Sequence, residues 1–391
     1  MEKYKILEVV DTFYPTVDGA INVVKNYAEE INKLTICKLG APKPKRKQKY
    51  VDKETFEVFR CKSGWGPEGY RNAMPGIDRK FKKRLKEEKF DLIHTHSPFG
   101  MGRFALKFAK KQGIPVVATL HTQYHQDFER TFHNFKPFVK MAIKIIVKVF
   151  NGADAVWTVS HASKKYLRDY GYKGEIDVIR NGTDYVYPAN AEELINKVND
   201  AHSLHGQKNV FVFVGRMAMY KNLGLLCDAI KKVKEAGKDF KMLFVGGGFD
   251  LDELKAYATK QGIDDVCIFT GQIKDRALLQ GYYLRGDLLL FPSTFDMASI
   301  ALAEAAAHKL PSLVIEKSCS AEGVIDNENG FLAKEDADDY AEKIIALCDN
   351  EQKLKATGET AYNTLYRTWQ DTTKEVLNKY IEIIEKYKKS K

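Results

Sequence analysis

The sequence predicts an α/β protein of two Rossmann-like, doubly wound domains facing across a cleft, and three observations carry that expectation. Its 391 residues exceed the roughly 250–300 that a single hydrophobic core serves. Short apolar runs alternate with helical patterns of about 10–15 residues, as parallel strands joined by crossover helices require. The alternation then starts afresh after residue 183. The predicted division is an N-terminal domain over 1–182, a C-terminal domain over 183–371 and a closing helix over 372–391.

The elements follow in order. Tyr4–Val10 reads as the first strand, Asp11–Gly19 as a loop and Ala20–Asn32 as a helix. Phe90–His94 is a short strand, Gly102–Gln112 a helix, and Pro115–Leu120 a strand that delivers His121 at its end. Ala155–Val159 is a further strand, and Val178–Asp184 reads as the crossing between domains. The second series runs through strands Val210–Val214, Met242–Val245, Leu288–Phe291 and Ser312–Ile315. The closing Lys/Glu-rich amphipathic helix is expected to pack back toward the N-terminal domain.

Composition narrows the function classes. Apolar residues make up 44% and charged residues 29%, ordinary globular values. No run of roughly 18 apolar residues crosses a membrane, and the N-terminus has no signal-peptide pattern, so a cytoplasmic location is expected. The six cysteines are scattered without metal-ligand spacing. Asn181-Gly182-Thr183 matches a glycosylation sequon, but without a secretory signal it reads as a turn. Residues 1–182 hold 35 lysines and arginines against 20 acidic residues. This excess implies an anionic partner for the first half only.

Several residues fall where doubly wound sheets bind ligands, beyond the carboxyl ends of strands. Gly215-Arg216 and Lys221 follow an apolar strand and precede a helix, as a diphosphate site needs: cations neutralise the departing phosphate and the helix end adds its dipole. The competing reading is a solvated loop with surface cations. Asp296 and Glu304 flank a strand–loop–helix junction, where ionised carboxylates can accept sugar and ribose hydroxyls. Alternatively, Asp296 caps the helix and Glu304 is solvated. His94, His96 and His121 lie at or beside strand ends, where a neutral imidazole can donate to a sugar hydroxyl or support a developing positive centre. Asp18-Gly19 allows close backbone approach to a phosphate, or is a plain turn.

Asp250-Leu251-Asp252 resembles a metal-binding DxD, but Asp250 with Glu253 reads as a capping box. Gly246-Gly247-Gly248 reads as a strand-to-helix turn near a nucleotide. Lys136, Lys140, Lys144 and Lys148 form a cationic stripe beside a broad apolar face. Such a helix can lie in an anionic membrane interface, or be a core helix with its lysines in water. The basic run Arg79–Lys89 and the aromatic loop Trp65–Tyr70 favour the former.

Taken together, the pattern resembles the GT-B fold glycosyltransferases of family 4. The resemblance runs from Tyr14-Pro15 and Asp18-Gly19 through His94-Thr95-His96-Ser97-Pro98, Leu120-His121-Thr122 and Asn181–Asp184. It continues through Gly215-Arg216, Lys221, Phe269-Thr270-Gly271 and Asp296–Glu304 to Glu328–Leu332. It implies retaining, metal-independent transfer of a hexose from a nucleotide diphosphate sugar, UDP favoured, without cofactor. By position, Gly19, Gly215, Arg216 and Lys221 would hold the diphosphate, Glu304 the ribose, and Ile273, Asp296, Ala298, Ser299 and Ile300 the rest of the donor. His121 would sit beside the transferred sugar, with His121, Asp296, Arg216 and Lys221 as the catalytic set. The family's usual Glu-x7-Glu is Asp-x7-Glu here, and the loop after Asp296 has no glycine.

His96 and the four lysines are expected on the acceptor or membrane side, with a lipid or lipid-linked glycan as acceptor and the inner face of the plasma membrane as the surface. The chain is expected to be a monomer or weak dimer. No nucleic-acid motif is present. Alternative readings are a GT-B epimerase or phosphorylase, and a membrane-associated nucleotide-sugar-binding protein with weak or lost catalysis.

Overall fold

Residue alternation gives way to continuous apolar strands because both faces of each sheet are covered by helices. In the computed structural model, which describes residues 4–16, 19–45, 50–65, 71–132 and 136–391, two separate parallel sheets result. The first unit comprises residues 1–181 and 369–391, the second residues 182–368.

In the first unit the strands are β1 (Lys5–Val9), β2 (Ile36–Pro42), β3 (Glu57–Cys61), β4 (Ser63–Trp65), β5 (Arg71–Ala73), β6 (Leu92–Thr95), β7 (Val116–Leu120), β8 (Ala155–Thr158) and β9 (Asp177–Val178). Seven of them form one sheet in the order β3-β2-β1-β6-β7-β8-β9, while β4 and β5 pair as a separate antiparallel ribbon. The order reverses direction between β1 and β6, which makes the carboxyl ends of these two strands the unit's switch point. Asp11, just past β1, ties this end together: its carboxylate accepts from the backbone N–H groups of Met101 (2.9 Å) and Phe99 (3.2 Å). It thereby holds the start of helix Gly100–Gln112. Helix Trp369–Lys389 lies on the same face of the sheet as helix Gly19–Leu34, with Trp369 against Tyr27 at 5.7 Å between ring centroids.

The second unit contains β10 (Val210–Val214), β11 (Lys241–Val245), β12 (Cys267–Gly271), β13 (Leu288–Phe291), β14 (Ser312–Ile315) and β15 (Phe331–Ala333). Their order is β12-β11-β10-β13-β14-β15, so the switch point falls between β10 and β13. The β10 run Val-Phe-Val-Phe-Val is buried throughout, stacking Phe213 on Phe291 at 5.9 Å.

Helix Lys136–Phe150 buries Val139, Ile143, Ile146, Val149 and Phe150 in the first unit. Lys136, Lys140, Lys144 and Lys148 are all exposed. The apolar face is consumed by the protein core, which leaves the lysine stripe with Pro137 and Met141 exposed. Asp18 and most of the Trp65–Tyr70 loop lie outside the described residues. Among the described residues, no helix is long and apolar enough to cross a membrane.

Candidate active site

Both switch points gather residues singled out in the sequence. In the second unit, Gly215 and Arg216 leave the end of β10 and Lys221 follows one short turn later. The Lys221 ammonium reaches the loop after β13 and donates to both oxygens of Asp296, at 2.7 and 2.6 Å. Ser293 Oγ donates to the same carboxylate at 2.6 Å. Side-chain exposures of 12% for Lys221 and 23% for Asp296 place the pair in partial shelter, where an ion pair is screened less than at the surface. Asp296 is therefore an anchor for Lys221 and not a helix cap; Ser299 occupies the N-cap position of helix Ile300–Ala307. Ala298, Ser299 and Ile300 complete this loop, half-buried.

The glycine run after β11 supports the loop after β10 by backbone alone. Gly215 N–H donates to the Val245 carbonyl and Met217 N–H to the Gly247 carbonyl, both at 3.0 Å. A Cβ on Gly246 would lie 2.0 Å from the Gly215 carbonyl oxygen, and one on Gly248 2.0 Å from that of Met217. Gly246 and Gly248 are thus a packing requirement of the Arg216 loop, while a Cβ on Gly247 would meet Gln272 at 3.3 Å. Asp250 accepts from Met219 N–H at 2.9 Å and makes no side-chain cap bond. The capping box expected there is replaced by a brace across to the Lys221 turn. Ile273, two residues past β12, packs at the edge of the same core.

Glu304 is half-buried and accepts from the buried Tyr283 hydroxyl at 2.6 Å. Burial lifts its carboxyl to about 7, against the opposing pull of the Tyr283 hydrogen bond. A carboxyl poised there changes its hydrogen-bonding capacity near neutrality, since only the ionised form is a pure acceptor.

In the first unit, Gly19 opens helix Gly19–Leu34 and is exposed, with open space where a Cβ would stand. His121 follows β7, half-buried, and shares a hydrogen bond of 2.8 Å between its Nε2 and His96 Nδ1. His96 Nε2 in turn meets Glu8 Oε2 at 2.6 Å. The His96 side chain has no exposed surface and both ring nitrogens are engaged. The expectation that it meets an acceptor or membrane directly is corrected: the buried His96 side chain contacts Glu8 and His121 instead.

Glu8 and Tyr380 were not foreseen. Glu8 sits mid-strand opposite His94 in the β1–β6 register, wholly buried, and accepts from Tyr380 at 2.8 Å. Burial pushes its carboxyl up to about 8, the Tyr380 hydrogen bond opposing. The same burial drives His96 down to about 3 and holds His94 and His121 well below the ordinary imidazole value. The signal available in the sequence was a lone glutamate inside an apolar strand, which needs a partner when buried. Glu8, His94 and His96 place possible ligand atoms within 4.8 Å of one another. Those atoms are already engaged: Tyr380 bonds Glu8 and His94, His94 Nε2 lies 2.6 Å from Thr119 Oγ1, and His96 bridges Glu8 and His121. A metal would have to break this network to bind.

Comparison with known proteins gives the family. A family model described as "Glycosyltransferase Family 4" matches residues 17–186, and one described as "Glycosyl transferases group 1" matches residues 195–364. The chain is a GT-B glycosyltransferase of family 4. The glycosyltransferase is 24% identical over 368 residues to the alpha-monoglucosyldiacylglycerol synthase of Acholeplasma laidlawii, covering 90% of each chain. Its fold matches sucrose-phosphate synthase of Thermosynechococcus elongatus with a TM-score of 0.80 at 17% identity, covering 98% of this chain and 100% of the other. It also matches Anabaena HepE in complex with UDP-glucose, with a TM-score of 0.75 at 18% identity, covering 97% and 99%.

Proposed function

We propose that this glycosyltransferase moves a hexose, with retention and without a metal, from a UDP-sugar to a hydroxyl of a lipid or lipid-linked acceptor. The observation that carries the donor half of this reading is the Lys221 ammonium anchored on Asp296, in the segment after β10 that also holds Arg216, at the β10–β13 switch point. Two cations at the strand ends can take up the charge that develops on a leaving diphosphate, which makes a metal unnecessary for that role. Glu304 is suited to receive ribose hydroxyls. The acceptor hydroxyl attacks from the face the diphosphate leaves, and the departing phosphate takes its proton. His121 stands beside the sugar. UDP is favoured because a protein of this fold has been crystallised with UDP-glucose.

The lipid acceptor draws on the diacylglycerol glucosyltransferase relative and on the basic surface of the first unit. There Lys43, Lys62, Arg79 and Lys80 line a groove of about 870 Å³ floored by Phe59 and Phe81, and the four lysines of helix Lys136–Phe150 stand in solvent. Attachment to an anionic leaflet would then be electrostatic, worth about 1 kcal/mol per basic residue near the surface.

The test is transfer from UDP-glucose, UDP-galactose and GDP-mannose to diacylglycerol in anionic vesicles, with chelator present and the product anomer assigned. An α-glycolipid formed from a UDP-sugar is expected. Transfer only with added divalent metal, or a β-product, would refute the mechanism.

The Glu304 carboxyl supplies a pH prediction. Ionised above about 7, it accepts ribose hydroxyls; protonated below, it accepts poorly. UDP affinity should therefore rise by up to about tenfold between pH 6 and pH 8, and Glu304→Gln should remove most of that rise. Calorimetric titrations at both pH values measure it, the glutamine variant separating the protein's contribution from titration of UDP itself.

A further inference from the structure

The buried network behind His121 has a direction. Tyr380 donates to Glu8 Oε1, leaving Oε2 to face His96 Nε2 at 2.6 Å, and His96 Nδ1 to face His121 Nε2 at 2.8 Å. His121 Nδ1 has no hydrogen-bond partner among the described residues, and the residue is half-exposed. We propose that Glu8 and His96 form a proton relay that decides which ring nitrogen of His121 carries hydrogen.

The relay has two states. With Glu8 protonated on Oε2, the carboxyl donates to His96 Nε2, His96 Nδ1–H donates to His121 Nε2, and the outward Nδ1 of His121 carries a hydrogen. When one proton leaves to water from that Nδ1, each remaining proton moves one place outward. Glu8 becomes a carboxylate accepting from His96 Nε2–H, His121 Nε2–H donates to His96 Nδ1, and the outward nitrogen becomes a bare acceptor. Protons balance: three in the first state, two in the second and one in solvent. The two internal transfers each run along an existing hydrogen bond, of 2.6 Å from Glu8 to His96 and 2.8 Å from His96 to His121.

The surroundings favour the protonated state at neutrality. The titratable groups around Glu8 are Cys37 on β2, His94 and His96 on β6, His121 after β7, Tyr27 on helix Gly19–Leu34 and Tyr380 on helix Trp369–Lys389. Among the described residues, no lysine or arginine pairs with Glu8, so its carboxylate would be a buried charge without a cation. Burial without a cation pushes its carboxyl up to about 8. Glu8 and His96 are positioning residues; only His121 would meet the sugar, which rests on the reading of the donor site above. As a donor, Nδ1–H can hold a sugar hydroxyl in place; as an acceptor it reverses that bond.

The experiment follows the imidazole nitrogens of the full-length protein by 15N NMR between pH 6 and pH 9.5, in the wild type and in Glu8→Gln. Glutamine keeps an acceptor toward Tyr380 and presents N–H to His96, so it imitates the protonated acid permanently. The expected result is Nδ1–H on His121 at pH 7 in both proteins, with conversion to Nε2–H near pH 8 in the wild type alone. Turnover of the wild type should fall up to about tenfold per pH unit above that point, and Glu8→Gln should stay flat. His121 carrying Nε2–H at pH 7, or conversion in Glu8→Gln at the wild-type pH, would overturn the relay. If the glutamine variant does not fold, the wild-type titration alone decides. If the nitrogens switch as expected while both turnover profiles coincide, the relay stands and the contact of His121 with the sugar falls.

Discussion

Replacing Lys221 by alanine should slow turnover by at least about a hundredfold while leaving the fold intact. The scale is that of losing one preorganised donor to developing charge, about 2.7–4 kcal/mol. The structure adds a reason for the upper part of that range. Lys221 neutralises Asp296 through two hydrogen bonds, so its removal both deletes a cation and releases a half-sheltered carboxylate toward the diphosphate. The two effects can be separated. In Lys221→Ala/Asp296→Asn the exposed negative charge is gone, so UDP affinity should recover in part while turnover stays low. Asp296→Asn alone, which keeps an oxygen acceptor for the ammonium, should cost less than Lys221→Ala. Steady-state turnover and UDP titration of the three variants provide the measurements. Turnover of Lys221→Ala within about threefold of the wild type would remove Lys221 from the charge-stabilising role.

That ion pair marks the boundary of what the sequence discloses. Strand ends were legible because apolar runs end where polar loops begin, so Gly215-Arg216 after β10, His121 after β7 and Asp296 after β13 could be placed one at a time. Their pairing was not. Lys221 and Asp296 are 75 residues apart, and they meet only because β13 lies beside β10, an adjacency that local periodicity does not encode. Glu8 and Tyr380 are separated by 372 residues. The amphipathic pattern of the closing helix told that it buries a face, but not that Tyr380 on it meets a strand carboxyl. The helix Lys136–Phe150 shows the converse. Its apolar stripe was equally compatible with lipid and with protein, since hydrophobic burial is non-directional, and only the packed structure shows Val139, Ile143 and Ile146 turned into the core. At Asp250 the local rule failed in its detail: the carboxylate braces Met219 instead of capping its own helix.

The second large effect belongs to Gly246. This residue has a φ of 136°, a region that side chains rarely enter, and a Cβ there would stand 2.0 Å from the Gly215 carbonyl oxygen. The obstructing atom is backbone, already committed by the neighbouring bonds from Gly215 to Val245 and from Met217 to Gly247, so no rotamer change relieves it. Gly246→Ala must therefore displace either the end of β11 or the Arg216 loop. Overpacking costs about 1–3 kcal/mol and a forced unfavourable φ adds about 1–3 more. A loss of roughly 2–6 kcal/mol and a sharp drop in UDP affinity are expected together, because the loop that moves is the one carrying Arg216. Gly262→Ala is the control for strain alone, since it has a positive φ of 70° but open space at its Cβ. It should lose only the strain contribution and keep UDP affinity near the wild-type value. Chemical denaturation and UDP titration of both variants measure the two consequences. If Gly246→Ala proved no more costly than Gly262→Ala, the glycine run would not be the support of the cationic loop, and the position of Arg216 would need another cause.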